Sequence, residues 1–305
     1  MTSQTKRSIT LTETHSLTTI QDLGRTGLGF LGVPSSGALD RGAFLRANRL
    51  VGNHPSCAAI ETTYFGVSFI AGSECTVAVT GALCRVELNQ RASSWGVPLA
   101  LRPNDVLRIG AAQQGVRAYL AINGGIDGES YFGSSSTDLL SGVGPAPLAP
   151  NDVLMLGNSH GHAPAIDLAP YLGPGEQPLL RVHLGPRSEY FDVQEQARFL
   201  GQRWQISSSS NRTALRLHGS NPLSYQGPEL PSEGIVTGAI QIPHDGQPIV
   251  FLADHPVTGG YPVLGTVCDL DLDHCAQLRP GSTVMFQSTP TCSRDLLMRS
   301  ATHHY

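Results

Sequence analysis

The stretch Ala253-Asp254-His255-Pro256-Val257-Thr258-Gly259-Gly260-Tyr261-Pro262 sets a carboxylate, a hydroxyl, an unhindered backbone and a phenol directly after an apolar run. Asp254 can act as a base or accept a hydrogen bond from an amide N–H, with Thr258 and Tyr261 contributing hydroxyls. Adjacent Gly259 and Gly260 can take positive φ and turn their N–H groups toward an oxyanion. Tyr261, preceding a proline, is restricted to extended backbone. The bland alternative is an ordinary strand-connecting turn, since Gly and Pro mark most loops. Arg212 offers a bidentate fork for a carboxylate or phosphate, or else belongs to a buried ion pair. Asn123-Gly124-Gly125 closes another apolar strand and is expected to present backbone and amide groups to the same ligand. Gln241 is expected to add an amide from a hairpin face.

A second glycine-rich segment runs from Gly24 to Asp40 and ends at a helix start. Asp40 is placed to cap that helix, or to serve as an acid with Glu61 and Asp22 behind it. Phe44, Ala47, Leu50 and Val51 share one helix face, and Gly52 suits the C-terminal stop. The order Gly-x-x-Gly-x-Gly matches neither a P-loop nor a dinucleotide fingerprint. Lys6 is the only lysine against nineteen arginines, which removes a phosphate-cradling, Schiff-base or biotin-carrying lysine from the body of the chain. No nucleophilic triad is assignable from spacing.

The elements that must position these groups are mostly strands. Runs at Ala59 to Tyr64, Val67 to Ile70, Thr76 to Thr80, Arg85 to Leu88, Val106 to Ile109 and Val116 to Ile122 recur with turn residues between them, a pattern for a barrel or sandwich. Pro103, Pro150 and Pro280 each sit just before a strand-like run. Between Ser159 and Gln177 the composition shifts to His, Pro, Gly and Ala, as in a linker or crossover, after which Leu179 to Leu184 reads as a strand. Tyr190, Val193, Ala197 and Leu200 form a helical stripe ended by Gly201. Ile240 and Ile242 share a strand face, Asp245-Gly246 is a hairpin turn, and Ile249 to Ala253 is apolar, so Asp254 stands at the exit of a buried strand. Ser36-Gly37-Ala38-Leu39 echoes Thr237-Gly238-Ala239-Ile240, and Leu101-Arg102-Pro103-Asn104 echoes Leu278-Arg279-Pro280-Gly281, a faint duplication.

With 305 residues the chain can build one large or two modest cores. Its 40% hydrophobic content suffices for them, and only 14% of residues are charged. A net charge of −4 with scarce lysine argues against nucleic-acid binding. No secretory signal or membrane-length apolar run is present, so a cytoplasmic protein is expected. Cys57, Cys75, Cys84, Cys268, Cys275 and Cys292 lack disulfide-framework or zinc spacing, and most are expected to be small buried hydrophobes. His160-Gly161-His162 and His303-His304 have no further ligand at metal spacing, and no metal site is expected.

Thr19-Ile20-Gln21-Asp22-Leu23-Gly24-Arg25, Ser35-Ser36-Gly37-Ala38-Leu39-Asp40, Ala47 to Asn53, Ala59-Ile60-Glu61, Asn123-Gly124-Gly125-Ile126, Ser135 to Leu139, Gly238 to Pro243 and Asp254 to Pro262 occur in an order that resembles one family. It is the carboxyltransferase-like family containing the C-type subunit of 5-oxoprolinase, KipA and the allophanate hydrolase subunit 2 or urea carboxylase region. The resemblance covers nearly the whole chain. Thr213-Ala214 and His255-Pro256-Val257 depart from the family pattern. A mainly β fold is implied, with two cyclophilin-like β-barrel halves (1–165 and 166–305) and a few short helices. The implied activity is ATP-dependent opening of 5-oxoproline to L-glutamate, shared with a KipI-like B-type subunit and a LamB/YcsF-like A-type subunit. Alternatives are carboxyl transfer from carboxybiotin to urea or a similar amide, which alone would use biotin, and a KipA-like regulatory binding protein. Under the leading reading Asp254, Tyr261 and Thr258 are catalytic. Ser36, Gly37, Asp40, Asn123, Gly124, Gly125, Arg212, Gln241, Gly259 and Gly260 bind substrate.

Overall fold

The computed structural model describes residues 7–158 and 167–290. Lys6, His160-Gly161-His162, the expected boundary at 165/166, Cys292 and His303-His304 lie outside the described residues. The chain forms two compact units, Met1–Thr26 with Ser36–Gly173, and Gly27–Ser35 with Pro174–Tyr305. The break therefore falls at 173/174, and a short segment of the first half belongs to the second unit. The fold is mainly β, with two barrel-like sheets and few helices.

Unit 1 contains β1 (Ser8–Thr14), β2 (Thr18–Gln21), β3 (Ala59–Thr63), β4 (Val67–Ala71), β5 (Cys75–Leu88), β6 (Arg91–Ser93), β7 (Leu99–Leu101), β8 (Val106–Ile122), β9 (Ile126–Asp127) and β10 (Val153–Leu156). Their order is β2-β3-β8-β4-β1-β10-β9, with β5 added on β8 and carrying β6 and β7. The four strand runs expected between Thr76 and Ile122 join into two long strands, β5 and β8. Their junctions are bends rather than breaks. Gly81 and Gly115 take φ 81° and 78°, a Cβ on Gly81 would meet Arg117 O at 2.4 Å, and the β5/β8 register shifts between Gly81 and Val86. Such bulges turn a strand while keeping its ladder. As a result β8 pairs with β4 through its first part and with β3 through its last.

One face of this sheet buries Ile9, Leu11, Ile60, Phe69, Val79 and Leu120. The other receives α1 (Arg41–Leu50), whose Ala43, Phe44, Ala47 and Leu50 pack on Ala78, Tyr119 and Ala121. Asp40 caps the helix by accepting from Ala43 N at 2.7 Å, and Gly52 at φ 69° ends it. Burial of Phe44 or Leu50 contributes about 1.5–3 kcal/mol each.

Unit 2 is a closed barrel of β11 (Leu179–Leu184), β12 (Trp204–Ile206), β13 (Ala214–His218), β15 (Ala239–Gln241), β16 (Ile249–Phe251), β18 (Val263–Val267) and β19 (Thr283–Ser288). The order is β11-β18-β15-β16-β13-β12-β19, closed by parallel pairing of β19 with β11. A separate ribbon pairs β14 (Glu233–Gly234) with β17 (Thr258–Gly259). Two helices, α2 (Val193–Gly201) and α3 (Asp269–Cys275), complete the unit. Asp192 caps α2 through Glu195 N at 2.9 Å. The expected hairpin is present as β15 and β16, with Gly246 at φ 70° in its turn.

The three prolines mark one repeated turn. Asp105 N, Asp152 N and Ser282 N donate back to Arg102 O, Ala149 O and Arg279 O at 3.0, 3.2 and 3.1 Å, while Asn104, Asn151 and Gly281 take φ 72°, 74° and 85°. Proline followed by a left-handed residue is the type II pattern. The other internal echo is weaker. Gly37 and Gly238 share positive φ, yet Ala38-Leu39 leads into a helix and Ala239-Ile240 is strand.

Cys75, Cys84 and Cys275 are buried free thiols, with burial pushing the first two up to about 11 and about 12. Cys268 is disulfide-bonded, contrary to expectation. Among the described residues no helix is long and apolar enough to cross a membrane, and no cluster of His, Cys, Asp or Glu could hold a metal ion.

Candidate functional site

In unit 2, Asp254 follows β16 and is fully buried, as is Arg212 just before β13. Arg212 Nε donates to Asp254 Oδ2 at 2.9 Å and its Nη2 donates to Oδ1 at 3.0 Å. Asp254 N also donates to Arg212 O at 3.1 Å. The two groups expected to meet substrate therefore meet each other: Arg212 takes the buried-ion-pair alternative rather than the substrate fork, and the Asp254 carboxylate is engaged by it. Both carboxylate oxygens of Asp254 are thus engaged by one guanidinium. What the pair does is fix the exit of β16, from which the Thr258–Tyr261 segment departs.

That segment also differs from expectation. Neither Gly259 nor Gly260 takes positive φ, so the paired N–H oxyanion turn is not formed, and Gly259 lies in β17 beside Glu233. A Cβ at 259 would approach Gln241 Nε2 to 2.7 Å, so a larger residue there would displace the Gln241 side chain. Gln241 is buried and donates to Tyr261 O at 2.9 Å, holding the backbone rather than reaching into open space. Thr258 and Tyr261 remain exposed, Tyr261 by 40%.

Tyr261 has neighbours that the sequence did not single out. The His244 ring meets it edge-on, with centroids 5.2 Å apart at 88°, and stacks on Tyr225 at 6.1 Å and 21°. Tyr225 Oη lies 3.1 Å from His244 Nδ1. Partial burial, and then the nearby Tyr261 and Glu229, push the Tyr225 phenol above its ordinary range. Tyr261 borders two concavities, one of 420 Å³ shared with Tyr225, Glu229 and His244, and one of 920 Å³ reaching Arg216, His218 and Gln247. His244 could have been noticed beside the Asp245-Gly246 turn. Tyr225 sits in an irregular loop with no periodic signal.

Unit 1 gathers polar groups of another kind. Asp22 Oδ1 accepts from Gly24 N, Ser134 Oγ and Ser136 Oγ at 2.7, 2.6 and 2.6 Å, and Oδ2 accepts from Ser135 N at 2.7 Å. Arg25 donates to Ser136 O from within the same buried cluster. Tyr119 Oη donates to Glu61 Oε2 and accepts from Asp40 N, both at 2.7 Å, while Leu39 N donates to Glu61 at 3.1 Å. Arg117 Nε lies 3.7 Å from the other Glu61 oxygen. Burial, reinforced by the Glu61 and Asp40 charges, holds the Tyr119 phenol well above its ordinary range.

Asp40 thus acts as a helix cap, and Asn123-Gly124-Gly125 as a latch. Asn123 Oδ1 accepts from Arg7 Nη2 and Thr76 N, Gly124 N donates to Asn53 Oδ1, and a Cβ on Gly124 would strike Gly157 O at 2.3 Å. Their polar groups serve neighbouring chain, which corrects the expectation of a backbone open to substrate. Ser36 and Gly37, at φ 50° and 101°, pass close to the main chain at Gly24, and Ser36 Oγ donates to Thr137 O at 3.1 Å.

Residues 31–288 match the family model described as carboxyltransferase domain, subdomain A and B. The chain belongs to this family. Family members similar to it include the C-type subunit of the 5-oxoprolinase of Escherichia coli K12, 36% identical over 272 residues, a match covering 88% of this chain and 87% of that one. The urea amidolyase of Lachancea kluyveri is 31% identical over 90% of the chain, which spans 16% of that longer protein. The crystal structure of the K. lactis urea amidolyase superposes with a TM-score of 0.85 at 29% identity, covering 93% of this chain and 19% of that one. These relatives belong to enzyme systems.

Proposed function

We propose that this chain is the C-type subunit of an ATP-dependent 5-oxoprolinase, opening 5-oxoproline to L-glutamate in the cytoplasm together with a KipI-like B-type subunit and a LamB/YcsF-like A-type subunit. The observation that carries this reading is coextension. The match to the E. coli 5-oxoprolinase component runs over 88% of this chain and 87% of that protein, whereas urea amidolyase is matched over 16% of its length. A lactam amide is a poor electrophile. Phosphorylation of its carbonyl oxygen by ATP would let water break the C–N bond, giving glutamate, ADP and phosphate.

In this reading Tyr261 presents its hydroxyl at the unit 2 concavities, exposed Thr258 contributes a second hydroxyl, and Arg212, Asp254 and Gln241 act as positioning residues. Carboxyl transfer to urea is the second reading, favoured by the urea amidolyase likeness. The lone Lys6 means that any biotinyl-lysine would come from another chain. The test is reconstitution. The purified chain alone should be inactive, and with both partners it should release glutamate and phosphate from 5-oxoproline and ATP in equal amounts. Turnover by the single chain, or bicarbonate- and biotin-dependent carboxylation of urea by the trio, would replace the proposal. Tyr261→Phe in the active trio is expected to lower kcat by at least about 10²-fold if the phenol transfers a proton.

A further inference from the structure

The 920 Å³ concavity of unit 2 has the outer face of β13 in its wall. Leu215 and Leu217 of that strand are buried in the barrel, so Arg216 and His218, alternating with them, stand outside and line the concavity together. At about 3.3 Å per residue they lie about 6.6 Å apart along the strand. The amides around them are tied to main chain. Gln205, opposite His218 on β12, donates to Gly281 O at 3.3 Å, and the Gln247 amide accepts from Gly219 N at 2.8 Å and donates to Gly219 O at 3.3 Å. The Arg216 guanidinium and the His218 ring, by contrast, meet no hydrogen-bond or ion-pair partner among the described residues. Arg181, Arg187, Arg198 and Arg212 of the same unit are all paired with carboxylates. The lining holds one carboxylate, Asp245, which accepts from Gln247 N at 3.0 Å in the hairpin turn. An arginine on an open strand face is ordinarily just solvated. What sets Arg216 apart is the concavity around it and the imidazole two residues on, a setting that favours an anion even in a chain of net charge −4.

We infer that Arg216 and His218 form a binding site for the oligophosphate chain of a nucleoside triphosphate. Arg216 presents a planar fork of N–H donors that a phosphoryl group can meet with two oxygens, and His218 offers a ring N–H to the next group along. A carboxylate, with both oxygens on one carbon, fills the fork alone. Linked phosphoryl groups extend acceptors far enough to reach a second donor about 6.6 Å away. Pro248 and Ile249, in the same lining, give the nucleoside an apolar surface beside the charged one. Tyr261 borders this concavity too, so phosphates held here share it with the phenol placed at the reacting centre above. The identity of the natural ligand, ATP, rests on the 5-oxoprolinase reading. The affinity for oligophosphate does not.

The experiment is isothermal titration of the full-length chain, free of divalent metal, with ATP, tripolyphosphate, orthophosphate, L-glutamate and adenosine. ATP and tripolyphosphate should each bind at least about tenfold more tightly than the other three. Arg216→Gln, which removes the charged fork, should weaken both by at least about tenfold, and His218→Gln by about threefold. Asp245→Asn keeps a turn-forming pair with Gly246 and removes the one negative side chain of the lining, so it should tighten both about twofold. Arg216 and His218 are exposed, so the urea midpoint should stay where it is, which separates lost binding from lost folding. Arg203→Gln, outside the concavity, should change nothing. Equal binding of all five probes, no binding of any, tripolyphosphate binding without ATP binding, or an equal loss in Arg203→Gln would each overturn the site. In the trio, Arg216→Gln should raise KM for ATP about tenfold with a smaller change in kcat. If the chain binds ATP as described while the trio fails to open 5-oxoproline, the site stands and the functional proposal falls. If the trio is active and Arg216→Gln leaves ATP binding unchanged, the site falls and the functional proposal stands.

Discussion

Unit 1 and unit 2 bury charge in opposite ways. In unit 1, Asp22 is surrounded by backbone N–H groups and serine hydroxyls, and Glu61 shares its proximity to Arg117 with Tyr119 and the N-terminal side of α1. Its charge is spread over many neutral donors. Unit 2 concentrates its deepest burial in one bidentate pair, Arg212 with Asp254, and leaves its phenols at the surface beside the concavities. A distributed network loses one contact at a time, while removing one member of a bidentate buried pair strands the charge of the other. The contrast assigns different duties: unit 1 shapes a rigid polar interior, and unit 2 presents exposed side chains from a fixed strand exit.

The sharpest way to break this contrast is to remove one member of the unit 2 pair. Asp254→Ala or Arg212→Ala should each destabilise by about 3–5 kcal/mol in urea unfolding, because the remaining charge is stranded. Arg212→Met combined with Asp254→Leu should recover most of that loss, and a double variant no better than the singles would show that the loss does not come from the stranded charge.

In unit 1, Asp22→Asn should cost less, about 1.5–3 kcal/mol, since the amide can still accept some of the same hydrogen bonds. A loss as large as that of the unit 2 singles would erase the distinction. Smaller again, Gly259→Ala must displace Gln241 from its bond to Tyr261 O and should cost about 1 kcal/mol, read as a shifted urea midpoint with an unchanged slope.

The finest test uses pH. The Tyr119 phenol is held above its ordinary range in the folded chain, so at high pH the unfolded chain loses that proton first. The associated stability is intact below the unfolded pKa, near pH 10, and declines as pH rises above it toward the folded pKa, by up to about 1.4 kcal/mol per pH unit. The wild-type advantage over Tyr119→Phe should therefore shrink between about pH 10 and 11. A constant difference across that range would place Tyr119 outside the buried network.

Much of the local architecture was readable in the chain. Asp40 and Gly52 bracket α1, Asp245-Gly246 turns the unit 2 hairpin, and Pro103, Pro150 and Pro280 each open the same turn, because caps and turns depend on residues a few positions apart. The continuity of β5 and β8 was not readable, since a bulge at Gly81 looks like a strand end when its partner Arg117 is unknown. Nor was the transfer of Gly27–Ser35 to unit 2.

The site shows the same division more severely. Family membership and the identity of the polar residues came from sequence order alone. What each polar residue does came from its partner, and the partners are distant: Arg212 and Asp254 are 42 positions apart, and Asp22 and Ser136 are 114. Sequence determined the turns, caps, hydrophobic faces and kinship of this protein, because those follow from neighbouring residues and their order. Only tertiary structure decided that Asp254 is paired, that Asn123 is a latch, that Tyr261 stands with His244 and Tyr225, and that Arg216 and His218 line one concavity. A polar group's chemistry is set by what long-range folding brings within hydrogen-bond distance of it.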